Sequence, residues 1–183
     1  NKEIGVEGIE LNSMYLSGQY RPRVYWTNID FDEINFDKKN KTIKDYLEKK
    51  SDKKYYFDLD VNKILKKNKS NKLKHGINKI CLIPRNLLKD NERQRRVYDI
   101  RGKSPTLLAR SDTPKILINN KIRKLTPLEC ERLQGLPDNY TAKFSNTTRY
   151  KMIGNGFTVQ VIKYILSFVS KKTTKKKQLE LFH

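Results

Sequence analysis

The segment Leu125-Thr126-Pro127-Leu128-Glu129-Cys130 decides more of the fold than any other stretch of this chain. Thr126 is a favoured helix N-cap, Pro127 suits the first helical position, and the Glu129 side chain can bond back to the cap. Gly135 is the type of residue that follows a helix end. The sequence therefore predicts a short, well-capped helix between Thr126 and Gly135.

A second helix is predicted further along the chain, at residues 158–169. Its apolar residues recur on one side at helical spacing, and they are Val159, Ile162, Ile165, Leu166 and Val169. The Lys-rich residues 171–177 are expected to form a solvated, frayed end. The first helix gains support from Leu125 and Cys130, which stand where a hydrophobic staple would join them.

Strands are predicted in the part of the sequence that precedes the capped helix. Apolar and β-branched runs at 24–27, 97–100, 106–109 and 116–118 are typical of short strands. Asn119 and Asn120 follow the last run, and because Asn tolerates a positive φ they indicate a two-residue hairpin. Residues 30–75 are rich in Lys, Asn and Asp, with a possible helix start at 42–47, and are expected to form a partly mobile surface insertion.

The charge of the chain favours a polyanionic partner. Its 183 residues include 40 Lys and Arg against 20 Asp and Glu, which gives a formal net charge of +20. A Lys/Asn-rich coding bias is the alternative source of this excess. No apolar run approaches the ~18 residues that span a bilayer, so a cytoplasmic protein is expected. Two cysteines and two isolated histidines predict neither a disulfide nor a metal site.

Three ordered motifs resemble those of bacterial and phage DNA (cytosine-5)-methyltransferases. Residues 19–29 read QYRPRVYWTNI and are similar to the family's QxRxR motif, which continues into YWTNI. Residues 123–137 read RKLTPLECERLQGLP and resemble RxLTPxExxRLQGFP. Residues 150–156 read YKMIGNG and resemble the closing YKxxGN motif. Any one match would be weak, but three in order are a strong signal.

The resemblance implies an α/β fold, namely the C-terminal portion of a doubly wound S-adenosylmethionine-dependent methyltransferase domain that brackets a small β-rich target recognition domain. It places an edge of the catalytic domain at 1–29 and the recognition domain, with its insertion, at 30–122. A hinge and closing segment would occupy 123–170, and a basic tail 171–183. The first residue is Asn1 rather than Met, which indicates a fragment or a processed product.

The chemistry explains the arginine pair. Methylation at carbon 5 of cytosine needs a thiolate at carbon 6, protonation of ring nitrogen 3 and stabilisation of negative charge at the carbonyl oxygen. A planar, always-charged guanidinium suits the last task. By resemblance, Arg23 would serve the carbonyl oxygen, Arg21 would help to orient the base and the cysteine region, and Gln19 would support the strand. Without the motif, two arginines in so basic a chain would be read as a solvated strand edge.

Recognition is expected to involve base flipping, because the target carbon cannot be reached inside a duplex. Residues 102–109 resemble the recurrent core of the recognition domain, with Thr106 and Leu107 matching the pair that approaches the flipped nucleotide. The expected DNA contacts are Thr106, Leu107, Lys103, Ser104, Arg101, Arg96 and Arg110, with Arg93 and Arg95 nearby. Such cations mostly bind phosphate, although one or two arginines could pair with guanine.

The cofactor implied by the resemblance is S-adenosyl-L-methionine. In the family, the turn that resembles Gly154-Asn155-Gly156 lies beside this cofactor, so Asn155 is the expected cofactor residue and Gly156 offers only its backbone. A tight turn with close backbone approach is predicted there. An ordinary loop before a helix is the alternative.

The resemblance breaks at the nucleophile. The family's Pro-Cys motif is absent, and Cys81 and Cys130 stand in apolar surroundings that disfavour a thiolate, so both are predicted to be packing residues. The chain is therefore expected to need an N-terminal half or second chain that carries the catalytic cysteine. It could be half of a split enzyme, a fragment or a degenerate relative. The competing functions are a sequence-tolerant DNA-binding module and part of an RNA cytosine-5 methyltransferase.

Overall fold

The computed structural model describes residues 5–31, 41–66, 71–72 and 74–180, and it describes no side chains at 71–74 or 170–180. The strands are β1 (Gly8–Asn12), β2 (Pro22–Trp26), β3 (Asn71–Lys72), β4 (Asn78–Leu82), β5 (Arg96–Asp99), β6 (Lys115–Ile118) and β7 (Lys121–Lys124). The helices are α1 (Val61–Lys66), α2 (Glu92–Arg95), α3 (Pro127–Gln134), α4 (Asn146–Asn155) and α5 (Val159–Glu180). Short 3₁₀ turns lie at Ser13–Tyr15, Ile43–Tyr46, Lys53–Tyr55 and Lys74–Gly76.

Strands β1 and β2 form an antiparallel hairpin that packs on α5. Leu11 and Tyr25 are buried from the hairpin side, and Val161 and Ile165 from the helix side. Successive residues of a strand face opposite sides of the sheet. Val24 and Trp26 therefore lie on the outer face of the hairpin, where 43% and 48% of their surfaces are exposed.

The remaining strands form one sheet in the order β3-β4-β5-β6-β7. In this sheet the β5–β6 pair is parallel, and the β3–β4, β4–β5 and β6–β7 pairs are antiparallel. Asn119 and Asn120 join β6 to β7 with φ values of 49° and 54°, which confirms the predicted two-residue hairpin. The strand predicted at 106–109 is wrong. Residues 106–108 have no regular secondary structure and residue 109 lies in a bend, while Ser104 before them forms an isolated bridge with Gln19.

The capping box of α3 is confirmed. The Thr126 hydroxyl accepts a bond from the Glu129 backbone at 3.2 Å, and a Glu129 carboxylate oxygen accepts from the Thr126 backbone at 2.9 Å. Gly135 ends the helix with a φ of 77°, in the left-handed region that glycine tolerates. Leu125 and Cys130 are buried in the same apolar cluster, as a staple requires.

A buried ion pair attaches α3 to β7. Arg123 donates from its two terminal nitrogens to the two carboxylate oxygens of Glu129, at 2.7 and 2.6 Å. Both side chains are almost wholly enclosed. Because a bidentate pair has a fixed geometry, it sets the angle between helix and strand.

The expectation of a surface insertion at 30–75 is wrong for its described part from 41 onwards. Ile43 and Tyr46 enter the same core cluster as α3, while Val61 and Ile64 of α1 pack against the sheet. The Lys and Asn residues between them are mostly exposed, and their abundance masked the spacing of the apolar residues. Residues 32–40, 67–70 and 73 of this stretch lie outside the described residues.

The end of the chain is more helical than predicted. Helix α4 was not predicted, and Gly154-Asn155-Gly156, expected to be a tight turn, is instead the end of that helix. Helix α5 confirms the second predicted helix but continues past 169 through the residues expected to fray. Its apolar side is only partly covered, since Leu166 is 54% exposed.

Residues Asn146–Val169 pass a length-and-hydropathy criterion for a membrane span, with a mean hydropathy of 1.3. In the structure, however, this stretch is two helices rather than one. Tyr150 and Ile153 of α4 and Val161 of α5 are buried in the core. Both helices therefore contribute residues to the core, although only 28% of the stretch is buried.

Candidate active-site edge and nucleic-acid interface

Arg21 lies where the motif strand, the recognition core and the end of α4 meet. One terminal nitrogen donates to the Leu107 carbonyl at 2.9 Å, and the other donates to the carbonyls of Gly154 and Gly156 at 2.9 and 3.0 Å. The residue is 5% exposed. Burial and then repulsion from Arg23 lower the pKa of Arg21 to about 10, so it remains charged at neutral pH. Arg21 thus joins the motif strand to the recognition core and to the end of α4.

Gln19 is fully buried and links the motif strand to the recognition core and to α3. Its side-chain oxygen accepts from the Leu107 backbone N–H at 2.9 Å, and its side-chain nitrogen donates to the Gln134 side-chain oxygen at 3.1 Å. Its own backbone pairs with the recognition core through the bridge to Ser104. The expected supporting role of Gln19 is therefore compatible with its geometry.

Arg23 differs from its two neighbours because it is exposed. Its guanidinium donates to the adjacent Pro22 carbonyl at 2.7 Å. Arg23 is on the same face of the hairpin as Leu11 and Tyr25, because Leu11 is its cross-strand partner. The structure thus leaves most of its donors open to solvent.

Thr106 stands at the rim of the same junction. Its hydroxyl donates to the Tyr20 carbonyl at 2.9 Å, which fixes the recognition core against the motif strand. Thr106 also lines a small cleft whose other walls include Arg93, Arg96 and Tyr98. Leu107, by contrast, is 2% exposed, so only its neighbours reach the surface.

Lys103 and Ser104 require a correction to the expected set of DNA contacts. The Lys103 ammonium donates to the carbonyls of Met14, Ser17 and Lys41, at 2.8, 3.0 and 2.7 Å. Its three hydrogen-bond donors are thereby used, and burial lowers its pKa. Ser104 is fully buried as well. Both residues hold the chain together and are not available to phosphate in this structure.

The arginines around the core differ in their partners and in how far they are exposed. Arg96 and Arg101 are held by carboxylates, with Arg96 on Glu92 and Arg101 on Asp99, each ion pair measuring 2.7 Å. Bonding to Arg101 lowers the pKa of Asp99, and Arg101 itself remains 82% exposed. Arg110 is exposed at the end of the core segment. Arg101, which stays exposed despite its ion pair, and Arg110 are consequently the cations of the expected set that are best placed for a phosphate or a base.

The end of α4 brings the expected cofactor residue to the surface. Asn155 is exposed, and the next residue but one, Phe157, is 63% exposed. Gly154 is pressed against the recognition core, since a Cβ atom there would lie 2.2 Å from the Leu108 carbonyl oxygen. The predicted close backbone approach is confirmed at Gly154, and Gly156 has a φ of −70° that any residue can adopt.

Neither cysteine of the sequence has the environment of a nucleophile. Cys81 and Cys130 are both buried. Burial raises the pKa of Cys81 to about 11 and that of Cys130 well above its ordinary value. Because only the thiolate is reactive, the prediction that both are packing residues is confirmed.

A protein-family model matches most of this chain. Residues 13–171 match the family model described as C-5 cytosine-specific DNA methylase. The chain belongs to this family. The family expected from the motifs is thereby confirmed.

Two relatives are similar in sequence to parts of this chain. It is 40% identical over 75 residues to the type II methyltransferase M.HhaI of Haemophilus parahaemolyticus, a match that covers 38% of this chain and 23% of that protein. It is 48% identical over 50 residues to the orphan methyltransferase M.SPBetaI of Bacillus phage SPbeta, covering 25% of this chain and 11% of the relative. These matches span about a quarter or less of each relative.

A solved structure shows the fold. The Dnmt2 methyltransferase of S. pombe superposes with a TM-score of 0.62 at 15% identity, over 94% of this chain and 60% of that one. Together with the mixed sheets and helices, this likeness confirms the expected α/β methyltransferase fold.

One residue of the junction was absent from the sequence-based set. Gln134, the last residue of α3, is 1% exposed and bonds to Gln19, Ile153, Gly156 and Thr158. It lies in the motif segment 123–137, but a glutamine before a C-cap glycine looks like a solvent-facing helix end. Only the approach of α4 to α3 reveals its role.

Proposed function

We propose that this chain is the target-recognising part of a DNA (cytosine-5)-methyltransferase, one that binds duplex DNA and takes part in flipping the target cytosine for methylation. The observation that carries the proposal is the convergence at Arg21, where one guanidinium ties the motif strand, the recognition core and the end of α4. Family membership supports the reaction class. In this proposal, DNA binding and chemistry share one rigid junction.

Arg23 is the residue proposed to stabilise charge on the cytosine carbonyl oxygen. It is exposed beside Arg21 and its bonded partner is only a neighbouring carbonyl, so its remaining donors are free to face a substrate. Fixed donors directed at developing charge stabilise a transition state more than a ground state. Arg21 has a complementary feature, because its Nε–H is buried and has no acceptor among the described residues. We assign that donor to the segment that carries the cysteine.

S-adenosyl-L-methionine is the proposed methyl donor, and it would supply the transferred group. The end of α4 suits such a molecule because Asn155 offers an exposed amide and Phe157 an exposed apolar ring, which match the polar and apolar parts of the cofactor. In this proposal Asn155 and the Gly156 backbone hold the cofactor.

DNA is proposed to contact the side that carries Thr106, Arg101 and Arg110. Thr106 lines the small cleft, and Arg101 and Arg110 are exposed immediately before and after the core segment 102–109. The charge of +20 would strengthen association with duplex DNA. Arg96, at the wall of the cleft, is proposed to add a phosphate contact.

The thiolate nucleophile is proposed to come from a Pro-Cys segment or chain outside these 183 residues. The two buried cysteines cannot supply it, and the sequence has no Pro-Cys pair. The outer face of the β1–β2 hairpin, with Val24 and Trp26 about half exposed, is the surface that such a segment would cover.

The test is transfer of a labelled methyl group from S-adenosylmethionine to duplex DNA. It compares the chain alone, the chain with a family member's Pro-Cys segment, and that mixture with Arg23→Ala. Arg85→Ala is the matched control, because Arg85 is an exposed arginine outside the motif. We expect activity only in the mixture, lost with Arg23→Ala and kept with Arg85→Ala.

The other outcomes each contradict part of the proposal. Activity of the chain alone would show that one of its own cysteines reacts. Binding of duplex DNA without transfer in any mixture would favour a non-catalytic binding module. Methylation of transfer RNA in place of DNA would identify part of an RNA methyltransferase.

A further inference from the structure

Two buried glutamines form a continuous relay through the junction. The Leu107 backbone N–H donates to the Gln19 side-chain oxygen at 2.9 Å, and the Gln19 amide donates to the Gln134 oxygen at 3.1 Å. The Gln134 amide then donates to the carbonyls of Ile153 and Gly156, at 2.7 and 3.1 Å. The relay runs from the recognition core to the end of α4.

The hydrogen bonds leave each amide one permitted orientation. Gln19 and Gln134 are 0% and 1% exposed, so water cannot replace a lost partner. Thr158 also donates to the Gln134 oxygen, at 2.9 Å. If the Gln134 amide were reversed, its N–H groups would face the donors of Gln19 and Thr158, and its oxygen would face two carbonyls. A buried chain of this kind holds one arrangement because every alternative leaves polar groups unsatisfied.

We propose that Gln134 is a positioning residue that fixes the Asn155–Gly156 segment relative to the recognition core, so that the DNA-facing and cofactor-facing elements are set together. The assignment of those two elements to DNA and cofactor rests on the proposed function. Arg21 is a parallel link, since it bonds directly to both Leu107 and Gly156. Gln134 differs because it reaches the Leu107 N–H through the Gln19 side chain, whereas Arg21 bonds to the Leu107 carbonyl.

The first test measures hydrogen exchange of the Leu107 amide by NMR, in the chain without DNA or cofactor. Gln134→Leu removes both the acceptor for Gln19 and the donors to α4. Gln19 then loses its partner, and the protection of the Leu107 amide should fall roughly tenfold, as expected for one net hydrogen bond. Gln160→Leu is the matched control, because Gln160 contacts Gly135 beside the relay without belonging to it. It should leave the Leu107 amide unchanged.

A second variant separates the two halves of the relay. Gln134→Glu keeps the side-chain volume and the acceptor for Gln19 and Thr158, but it offers no N–H donor and, even when protonated, at most one O–H donor for the carbonyls of Ile153 and Gly156. The Leu107 amide should therefore stay protected, while exchange at the Gly156 amide rises severalfold. This variant also carries the test if Gln134→Leu fails to fold. Unchanged Leu107 exchange in folded Gln134→Leu, or unchanged Gly156 exchange in Gln134→Glu, would overturn the proposal.

A functional readout follows in the mixture that methylates DNA. Gln134→Glu should raise KM for S-adenosylmethionine about tenfold and leave the Kd for duplex DNA within a factor of two, because the recognition-side bonds persist. Equal weakening of both would indicate a general loss of structure and contradict a positioning role. The exchange experiment needs no methyl transfer, so it can succeed or fail independently of the proposed function.

Discussion

The Arg21 guanidinium lies 2.9 Å from the Gly154 carbonyl although 133 positions separate the two residues in sequence. Both residues also lie against the recognition core, Arg21 at the Leu107 carbonyl and Gly154 at the Leu108 carbonyl. A change at either residue should therefore disturb the same junction.

Replacing Arg21 by Met should lower the free energy of unfolding by roughly 3 kcal/mol, since three buried carbonyls lose a charged donor. Urea denaturation measures the difference. Arg23→Met is the control, and because Arg23 is exposed it should change stability by no more than about 0.5 kcal/mol. Equal losses at both positions would contradict the structural role given to Arg21.

Gly154→Ala should destabilise the chain although it replaces a glycine inside a helix. Alanine at such a position ordinarily adds up to about 1 kcal/mol of stability. Here the new Cβ would lie 2.2 Å from the Leu108 carbonyl oxygen, so helix and core must separate. Gly156→Ala is the matched control, because its Cβ would meet nothing closer than 3.5 Å. Thermal unfolding of the two variants should differ in Tm, with Gly156→Ala close to the parent.

Arg110 and Lys103 should respond differently in DNA binding. Arg110→Ala removes an exposed cation, so the slope of log K against log salt should fall in magnitude by about 0.9 if one phosphate contact is lost. Lys103→Met should leave the slope unchanged and instead lower stability, because it empties a site where three carbonyls accept from one ammonium. Titrations at several salt concentrations distinguish the two, and a changed slope for Lys103→Met would show that Lys103 reaches DNA.

The cysteines should resist thiol reagents in the folded chain at pH 8 and react after denaturation. Burial raises the pKa of Cys81 to about 11, from an ordinary value near 9. The unfolded thiol therefore loses its proton first as the pH rises. The contribution of this group to stability is full below pH 9 and declines between pH 9 and 11. Rapid labelling of native protein at pH 8 would contradict the burial of both thiols.

The sequence predicted the parts of the structure that local chemistry determines. The capping box at Thr126 and the Asn119–Asn120 hairpin were recognisable because each depends on residues a few positions apart. The burial of Ile43 and Lys103 was missed, because each depends on contacts with distant segments. For Lys103 the residue type pointed towards solvent, and only three convergent carbonyls explain its place.

The candidate site follows the same division. The motif residues Gln19, Arg21 and Arg23 could be named from their order in the sequence, but nothing in it distinguished the two buried residues from the exposed one. A regular strand would place all three side chains on one face, because they are two positions apart. Arg21, however, precedes β2, and its guanidinium turns inward to the recognition core. Gln134 was missed for a related reason, since its partners are Gln19, the end of α4 and Thr158, which precedes α5.

The bond between Gln19 and Gln134 closes a loop of 115 positions, whereas β6, β7 and α3 are consecutive in sequence. Contacts of high sequence separation carry the larger entropy cost and form slowly. We therefore expect the hairpin and its capped helix to fold early and the motif strand to dock late. Reagents that trap partly folded chains should find the Arg21 junction open while residues 115–134 are already ordered.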